Sequence, residues 1–315
     1  MTRVAGIDCG TNSIRLLVAD VHDGALIDVD RRMEVVRLGE GVDRTGRIAP
    51  GALERTLEAA KRYADACDSL GVTSLRFVAT SATRDAENRA DFVEGVRAVL
   101  GVVPEVIDGH EEAELSFRGA TSTLAGHHRG PFLVVDIGGG STELVLGSTS
   151  PVAMASMDVG CVRLTERHLA DDPPSAEQIA AASRDVVAAL EVAGRRVPFG
   201  RAATLVGLAG SVTTVTAHAL DLEEYDPDAI DGAVLPVDQV LGSCRTLLTM
   251  SRSRRARLPF MHPGRVDVIG AGALAWSDVI THVRAEVARA GGRLSSVVTS
   301  EHDILDGITL SAAER

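Results

Sequence analysis

Two short stretches of this chain are built alike and start 128 residues apart: Asp8-Cys9-Gly10-Thr11-Asn12-Ser13 and Asp136-Ile137-Gly138-Gly139-Gly140-Ser141-Thr142-Glu143. Each sits between apolar, β-prone segments, 4 to 8 and 14 to 21 in the first case, Phe132 to Val135 and Thr142 to Leu146 in the second. That pattern predicts strand, tight turn, strand, twice over. A repeat of this kind restricts the fold to two related halves, each opening on a hairpin. A length of 315 residues suits two domains better than one core. We place an N-terminal domain at 1–125 and a C-terminal domain at 126–315. The stretch Thr123 to Pro131 is their connection, and the last helix is a candidate to pack back on the first domain.

Between the turns the chain alternates helical and extended patterns, as an α/β protein does. Residues 50 to 70 have helical spacing with Gly71 as a stop, and Leu75 to Thr80 reads as a strand. A helix over 87–100 ends at Gly101, a strand follows near 103–107, and a helix over 111–125 begins Glu-Glu-Ala-Glu. The second half reads as a helix over 175–193, a strand near 203–208, a glycine turn, a helix after Ser211, a helix over 236–250, and a small-residue helix starting near Asp267.

A glycine-rich turn lets successive backbone N–H groups point into one concavity, because glycine allows the required dihedrals and no side chain blocks approach. Such a nest binds phosphate. The two familiar alternatives do not fit: a Walker loop needs Gly-Lys-Ser/Thr before a helix, and a dinucleotide fingerprint needs a helix after its glycines. Thr11, Asn12, Ser13, Gly138, Gly139, Gly140, Ser141 and Thr142 are therefore candidate phosphate contacts through backbone N–H and hydroxyl groups. Asp8 and Asp136 close the strands before the turns, where their carboxylates can reach a hard, oxygen-coordinated cation with phosphate supplying further ligands. Magnesium, or manganese, is the expected ion. Either aspartate alone is as well explained by turn capping, so the inference rests on the pair.

Charge narrows the partners. A formal net charge of -12 argues against a general nucleic-acid binder, so an anionic ligand has to be held locally. Lys61 is the only lysine, leaving arginine, which grips phosphate bidentately, as nearly all of the positive charge, a bias that genomic base composition explains equally well. Arg252, Arg254, Arg255, Arg257 and Arg265 crowd one stretch; they read either as a solvated loop or as a track for the distal part of a polyanion. No apolar run approaches the roughly 20 residues needed to span a bilayer, so no membrane association is expected. The first residues enter a strand pattern at once, without a signal-peptide profile, which points to the cytoplasm. Cys9, Cys67, Cys161 and Cys244 lack metal or redox spacing and read as reduced thiols. His127 and His128 read as a linker feature, and His218 as a structural histidine.

With the two turns stand Thr80-Ser81-Ala82-Thr83-Arg84-Asp85-Ala86, Gly109-His110-Glu111-Glu112-Ala113, Gly160-Cys161-Val162-Arg163-Leu164-Thr165-Glu166, Gly207-Leu208-Ala209-Gly210-Ser211 and Ser300-Glu301-His302-Asp303-Ile304-Leu305-Asp306-Gly307. In this order they resemble the Ppx/GppA family of exopolyphosphatases and guanosine pentaphosphate phosphohydrolases, within the acetate kinase, sugar kinase, Hsp70 and actin superfamily. The resemblance implies two actin-like (ribonuclease H-like) α/β domains, mixed β-sheets flanked by helices, and an active-site cleft between them. It makes Glu112 the general base that activates water, Glu143 its assistant or a metal ligand, and Arg84 a residue facing the phosphate. It also adds Gly210 and Ser211 to the phosphate contacts and implies a homodimer.

Taken alone, Glu111, Glu112 and Glu114 read first as solvated acids in a helix's first turn, where the dipole favours the ionised form. They are not a zinc motif, because the residue four places after His110 is Glu114. The activity implied is hydrolysis of the terminal phosphoanhydride of inorganic polyphosphate, releasing orthophosphate. Removal of the 5′ phosphate of guanosine pentaphosphate is the alternative, since both substrates end in the same group. A kinase would need nucleotide pockets and a substrate hydroxyl, and the Glu112 segment argues against it. A sensor that binds polyphosphate or guanosine polyphosphate without turnover needs only the nests. Longer relatives carry a helical C-terminal region beyond this length, so short chains are the expected substrates. Cys9 stands where the family has a small aliphatic residue and reads as a packing variant.

Overall fold

A computed structural model describes residues 2–124 and 126–315. Two compact units account for them: Met1–Ser122 with Asp303–Arg315, and Thr123–His302. Ala125, the last position of the helix expected over 111–125, lies outside the described residues.

The first unit is built on five strands: β1 Thr2–Cys9, β2 Ser13–His22, β3 Ala25–Val35, β4 Ser74–Ala79 and β5 Glu105–Val106, in the order β3-β2-β1-β4-β5. β1, β2 and β3 form an antiparallel meander, while β4 runs parallel to β1 and β5 parallel to β4. Successive side chains of a strand point to opposite faces, and the core divides accordingly. Ile7, Ile14, Leu16 and Phe77 lie on one face with Tyr63 and Phe92, from the helices Pro50–Leu70 and Arg89–Leu100. On the other face Val78 meets Ile107, Leu115, Ile304 and Ile308. These last side chains include members of the helices Gly109–Leu124 and Ile304–Ala312. The two helices approach closely through glycine: a Cβ on Gly119 would lie 1.8 Å from the Asp303 carbonyl oxygen, and one on Gly307 2.1 Å from that of Leu115.

The second unit repeats the plan. Its strands are β6 Phe132–Ile137, β7 Thr142–Gly147, β8 Pro151–Met157, β9 Thr204–Leu208, β10 Val234–Pro236 and β11 Ser296–Thr299, in the order β10-β11-β9-β6-β7-β8. β6, β7 and β8 form the meander, β9 is parallel to β6, and β11 is parallel to β9. The series β8-β7-β6-β9-β11 thus matches β3-β2-β1-β4-β5 strand for strand, which is what duplication of the opening hairpin requires. Helices Ala176–Ala193, Ala209–Ala219, Val237–Thr249 and Ile269–Arg289 cover this sheet, with Trp276 fully buried among them. Ser175 and Gln178 close a reciprocal capping box at the start of the first of these helices.

The third strand of each meander, β3 and β8, is not apparent in the sequence pattern, so each expected hairpin is part of a larger antiparallel unit. The two fold-opening turns and the principal helices fall where periodicity and glycine stops put them. Gly71 and Gly101 take the left-handed conformation that ends their helices, at φ 69° and 71°. Among the described residues, no helix is long and apolar enough to cross a membrane.

Candidate active site

The two glycine-rich turns have the same backbone geometry. Gly10 N–H donates to the Ser13 carbonyl at 2.9 Å, and Gly138 N–H to the Ser141 carbonyl at 3.0 Å. In each turn the carbonyls are taken by the chain behind it. Thr11 O accepts from Gly39 N, and Asn12 O from Val36 N and Arg37 N. Gly138 O accepts from Cys161 N, and Gly139 O from Val162 N and Arg163 N; the Arg163 Nε donates to Gly140 O at 2.8 Å. The N–H groups of Thr11, Asn12, Gly139, Gly140 and Ser141 are left without a hydrogen-bond partner among the described residues. Carbonyls turned back and N–H groups turned out make an anion nest.

Gly160 makes this possible in the second unit, because a Cβ there would lie 2.4 Å from the Gly139 carbonyl atoms. Thr142 lies within β7 and spends its hydroxyl proton on the Val159 carbonyl at 2.5 Å. Its backbone belongs to the strand ladder. Ser13 opens β2. Gly210 and Ser211 lie in the first turn of the helix Ala209–Ala219, where the leading N–H groups have no intrahelical acceptor. The Ser211 hydroxyl faces inward, 2.2 Å from where a Cβ on Gly272 would stand. Ala209, just before them, is held at φ 65°, a left-handed conformation unusual for alanine.

Behind the first turn, Asp8 and Arg15 face each other across β1 and β2. Arg15 Nε and Nη2 both donate to Asp8 Oδ2, at 3.0 and 2.7 Å, and Nη1 donates to Asp303 Oδ2 at 2.5 Å. Asp8 Oδ1 is buried and has no hydrogen-bond partner among the described residues. Burial pushes the Asp8 carboxyl above its ordinary pKa, with the charge and hydrogen bonds of Arg15 pulling against it. In the second unit, Asp136 faces Glu143 in the same register. Both are buried, and Glu143 Oε1 accepts from the Ser156 hydroxyl at 2.8 Å.

Two carboxylates side by side on a strand pair, and the orphaned oxygen of Asp8, are oxygen donors of the kind a hard cation takes. No group of three or more His, Cys, Asp or Glu side chains is poised to hold a metal among the described residues. The donor set therefore fits an ion held by one or two carboxylates, with the remaining ligands drawn from phosphate and water, the usual mode for magnesium.

The helix Gly109–Leu124 sorts its acids by partner. The Asp108 carboxylate caps it, accepting from the N–H groups of His110 and Glu111 at 2.9 Å. Glu111 pairs with the buried Arg76, and Glu114 stands on the exposed side near His110. Glu112 is turned inward, 8% exposed, with Oε2 accepting from Arg84 Nη1 at 3.1 Å. Arg84 Nη1 also donates to the Ile107 carbonyl at 2.9 Å, leaving Nε and Nη2 without a partner among the described residues. Glu112 and Arg84 are thus a pre-set carboxylate and guanidinium pair, with donors of the arginine still to spend.

The arginine-rich stretch does not form a uniform row. Arg255 is buried against Asp172, Arg252 pairs with Asp267 at 2.9 Å, and Arg265 donates to the Gly210 carbonyl at 2.9 Å. Arg254 and Arg257 are exposed. His218 is structural in its contacts, bonded to Ser243 and edge-on to Phe260. All four cysteines are buried and unbridged. Sequence reasoning passed over Arg15, Asp303, Asp108 and Arg163. Arg15 had a signal in the 128-residue offset, which carries it onto Glu143, while Arg163 and Asp303 lay within the motifs above and Asp108 stands just before a helix start.

Two mixed sheets of matching strand order, each opening on an acid-backed glycine turn with outward N–H groups, define an α/β protein of the actin-like type. The Ppx/GppA phosphatase family profile matches residues 17–309, and the chain belongs to that family. It is 50% identical to exopolyphosphatase 2 of Mycobacterium tuberculosis, covering 99% of both chains. The crystal structure of an exopolyphosphatase-like protein superposes with a TM-score of 0.96 at 46% identity, covering 100% of this chain and 99% of the other. The Ppx/GppA family member of Aquifex aeolicus superposes with a TM-score of 0.80 at 29% identity, covering 99% and 98%.

Proposed function

We propose that this protein is an exopolyphosphatase that hydrolyses the terminal phosphoanhydride of inorganic polyphosphate, with short chains preferred. The observation that carries the reading is the inward-facing Glu112 held by Arg84, a base and a cation in contact at a buried position. The near-full-length relative named exopolyphosphatase 2 supports the substrate class.

Phosphoryl transfer asks the protein to position water and to neutralise charge rather than to form bonds of its own. In this reading the N–H groups of Thr11, Asn12, Gly139, Gly140 and Ser141 bind phosphate oxygens, and the open donors of Arg84 bind the terminal phosphoryl group. Glu112 accepts the proton of the attacking water, and Arg84 holds that carboxylate in place until the water arrives. Asp8 in the first unit, or Asp136 with Glu143 in the second, would hold a magnesium ion. When bound, the ion supplies charge neutralisation on the phosphate oxygens.

The same reading assigns the protein to the cytoplasm, where four buried unbridged cysteines are at home, and takes it to act as a homodimer. The test is orthophosphate release from tripolyphosphate, long-chain polyphosphate and guanosine pentaphosphate, side by side with magnesium or manganese. Turnover of tripolyphosphate above the other two is expected. Release from guanosine pentaphosphate alone would replace the reading with the alarmone phosphohydrolase, and binding of all three without release would make the chain a sensor.

A further inference from the structure

The two turns must hold the same carbonyl in place, and they do it by different means. Asn12 and Gly140 are equivalent under the 128-residue repeat. The Asn12 carbonyl is held by two backbone N–H groups, those of Val36 and Arg37, at 3.1 and 2.8 Å. The Gly140 carbonyl accepts from a side chain, Arg163 Nε, at 2.8 Å. Its neighbour Gly139 accepts from backbone in both senses of the repeat, as Thr11 does. The peptide joining Gly140 to Ser141 carries that carbonyl at one end and the unpartnered Ser141 N–H at the other, and a peptide unit is planar. Fixing the oxygen therefore fixes the direction of the N–H.

Three consecutive glycines give this turn no side chains of its own to lock it, and glycine has the most freedom to lose on ordering. We infer that Arg163 is a positioning residue: by gripping the Gly140 carbonyl it aims the Gly140–Ser141 peptide N–H at the substrate phosphate. This rests on the proposal above that the turn binds phosphate. Arg163 grows from the helix Cys161–His168, whose leading N–H groups hold Gly138 and Gly139. One helix thus carries both the backbone and the side-chain clamps.

The experiment compares Arg163→Met, Arg163→Lys and Gly139→Ala with the wild type. It measures kcat and KM for tripolyphosphate, inhibition by inorganic phosphate, and melting temperature. Losing a hydrogen bond that orients a donor to a charged group is worth roughly a factor of ten or more in binding. Arg163→Met should raise KM and the phosphate inhibition constant about tenfold while kcat changes less than about threefold, and Arg163→Lys, which keeps a donor, should recover part of the loss. An unchanged KM in Arg163→Met, beside a raised KM in Gly139→Ala, overturns the role of Arg163 and leaves the phosphate turn standing. A fall in kcat and melting temperature with KM unchanged overturns it too, since a merely structural role would look like that. KM unchanged in both Arg163→Met and Gly139→Ala overturns the phosphate turn itself. Should the methionine variant not fold, the lysine variant carries the same comparison.

Discussion

Arg15 stands opposite Asp8 at the register position that Glu143 takes opposite Asp136. The duplicated hairpin thus sets a cation opposite the strand-end aspartate in one copy and an acid opposite it in the other. In the first, Arg15 joins Asp8 to Asp303, and Asp303 in turn caps the helix Ile304–Ala312, accepting from Leu305 N at 2.9 Å. The chain holds that helix by a second tie, Arg31 to Asp306 at 2.6 Å. Removing the cation from such a triad leaves buried acids unpaired, at a cost of about 3–5 kcal/mol. Arg15→Met should lower the urea midpoint by a corresponding amount, and adding Asp303→Asn to it should restore part of the loss. A midpoint unmoved by Arg15→Met would show the triad to be dispensable.

For Glu112→Gln we expect kcat to fall by about two to four orders of magnitude, the span of general base catalysis, with polyphosphate binding retained. Arg84→Met should lose about a thousandfold, and Arg84→Lys somewhat less, because lysine keeps the charge and loses the fork. Orthophosphate release in single-turnover mode, with binding followed separately, distinguishes these from failures to bind. Unaltered release by the glutamine variant would remove Glu112 from the chemistry.

Asp278 offers a test of pH dependence away from the site. Burial raises its pKa to about 6, only partly offset by a hydrogen bond from Ser183, and its Oδ2 has no hydrogen-bond partner among the described residues. The folded state therefore binds this proton more tightly than the unfolded state, whose carboxyl keeps the ordinary aspartate value of 3.8. The group is neutral to stability below about pH 4, destabilises increasingly as pH rises from 4 to 6, and levels off above that at roughly 3 kcal/mol. Asp278→Asn should thus be more stable than the wild type at pH 8, with the difference shrinking to nothing near pH 4. Chemical denaturation at the two pH values measures it; a gap that widens toward acid would reverse the sign.

Ala209 pays a backbone cost at φ 65°, where a side chain crowds the following carbonyl. Ala209→Gly should stabilise the protein by about 1 kcal/mol, raising the melting temperature by about 2–4 °C for a unit of this size. A lower melting temperature would mean that the Ala209 methyl packs for more than its conformation costs.

What could be read from the sequence was what the chain decides locally. Asp-x-Gly turns between apolar strands, a proline-led helix at Pro50 and glycine stops at Gly71 and Gly101 need only neighbours in sequence. The strands β3 and β8 escaped because they lie at sheet edges. Asp28, Asp30, Arg31, Arg32 and Glu34 interrupt any apolar alternation in β3, and β8 is largely half-exposed. Glu112 could not be separated from Glu111 and Glu114 until Arg76 and Arg84 had arrived from other strands and helices. The arginine cluster misled in the opposite way, since local density says nothing about which guanidinium groups will be claimed by Asp172, Asp267 or Gly210. Arg163 lay within a quoted motif, yet its role depends on Gly140, a residue brought back to it by two intervening strands.

The chain leaves the first unit at Ser122 and re-enters it at Asp303. During synthesis, all of Thr123–His302 emerges before the helix that covers the second face of the β1 sheet. The second unit is contiguous and can finish on its own schedule, whereas the first waits with Val78, Ile107 and Leu115 unroofed until Ile304 and Ile308 arrive. The order of completion runs opposite to the order of translation. That places the period of greatest exposure to chaperones and proteases on the half that carries Glu112.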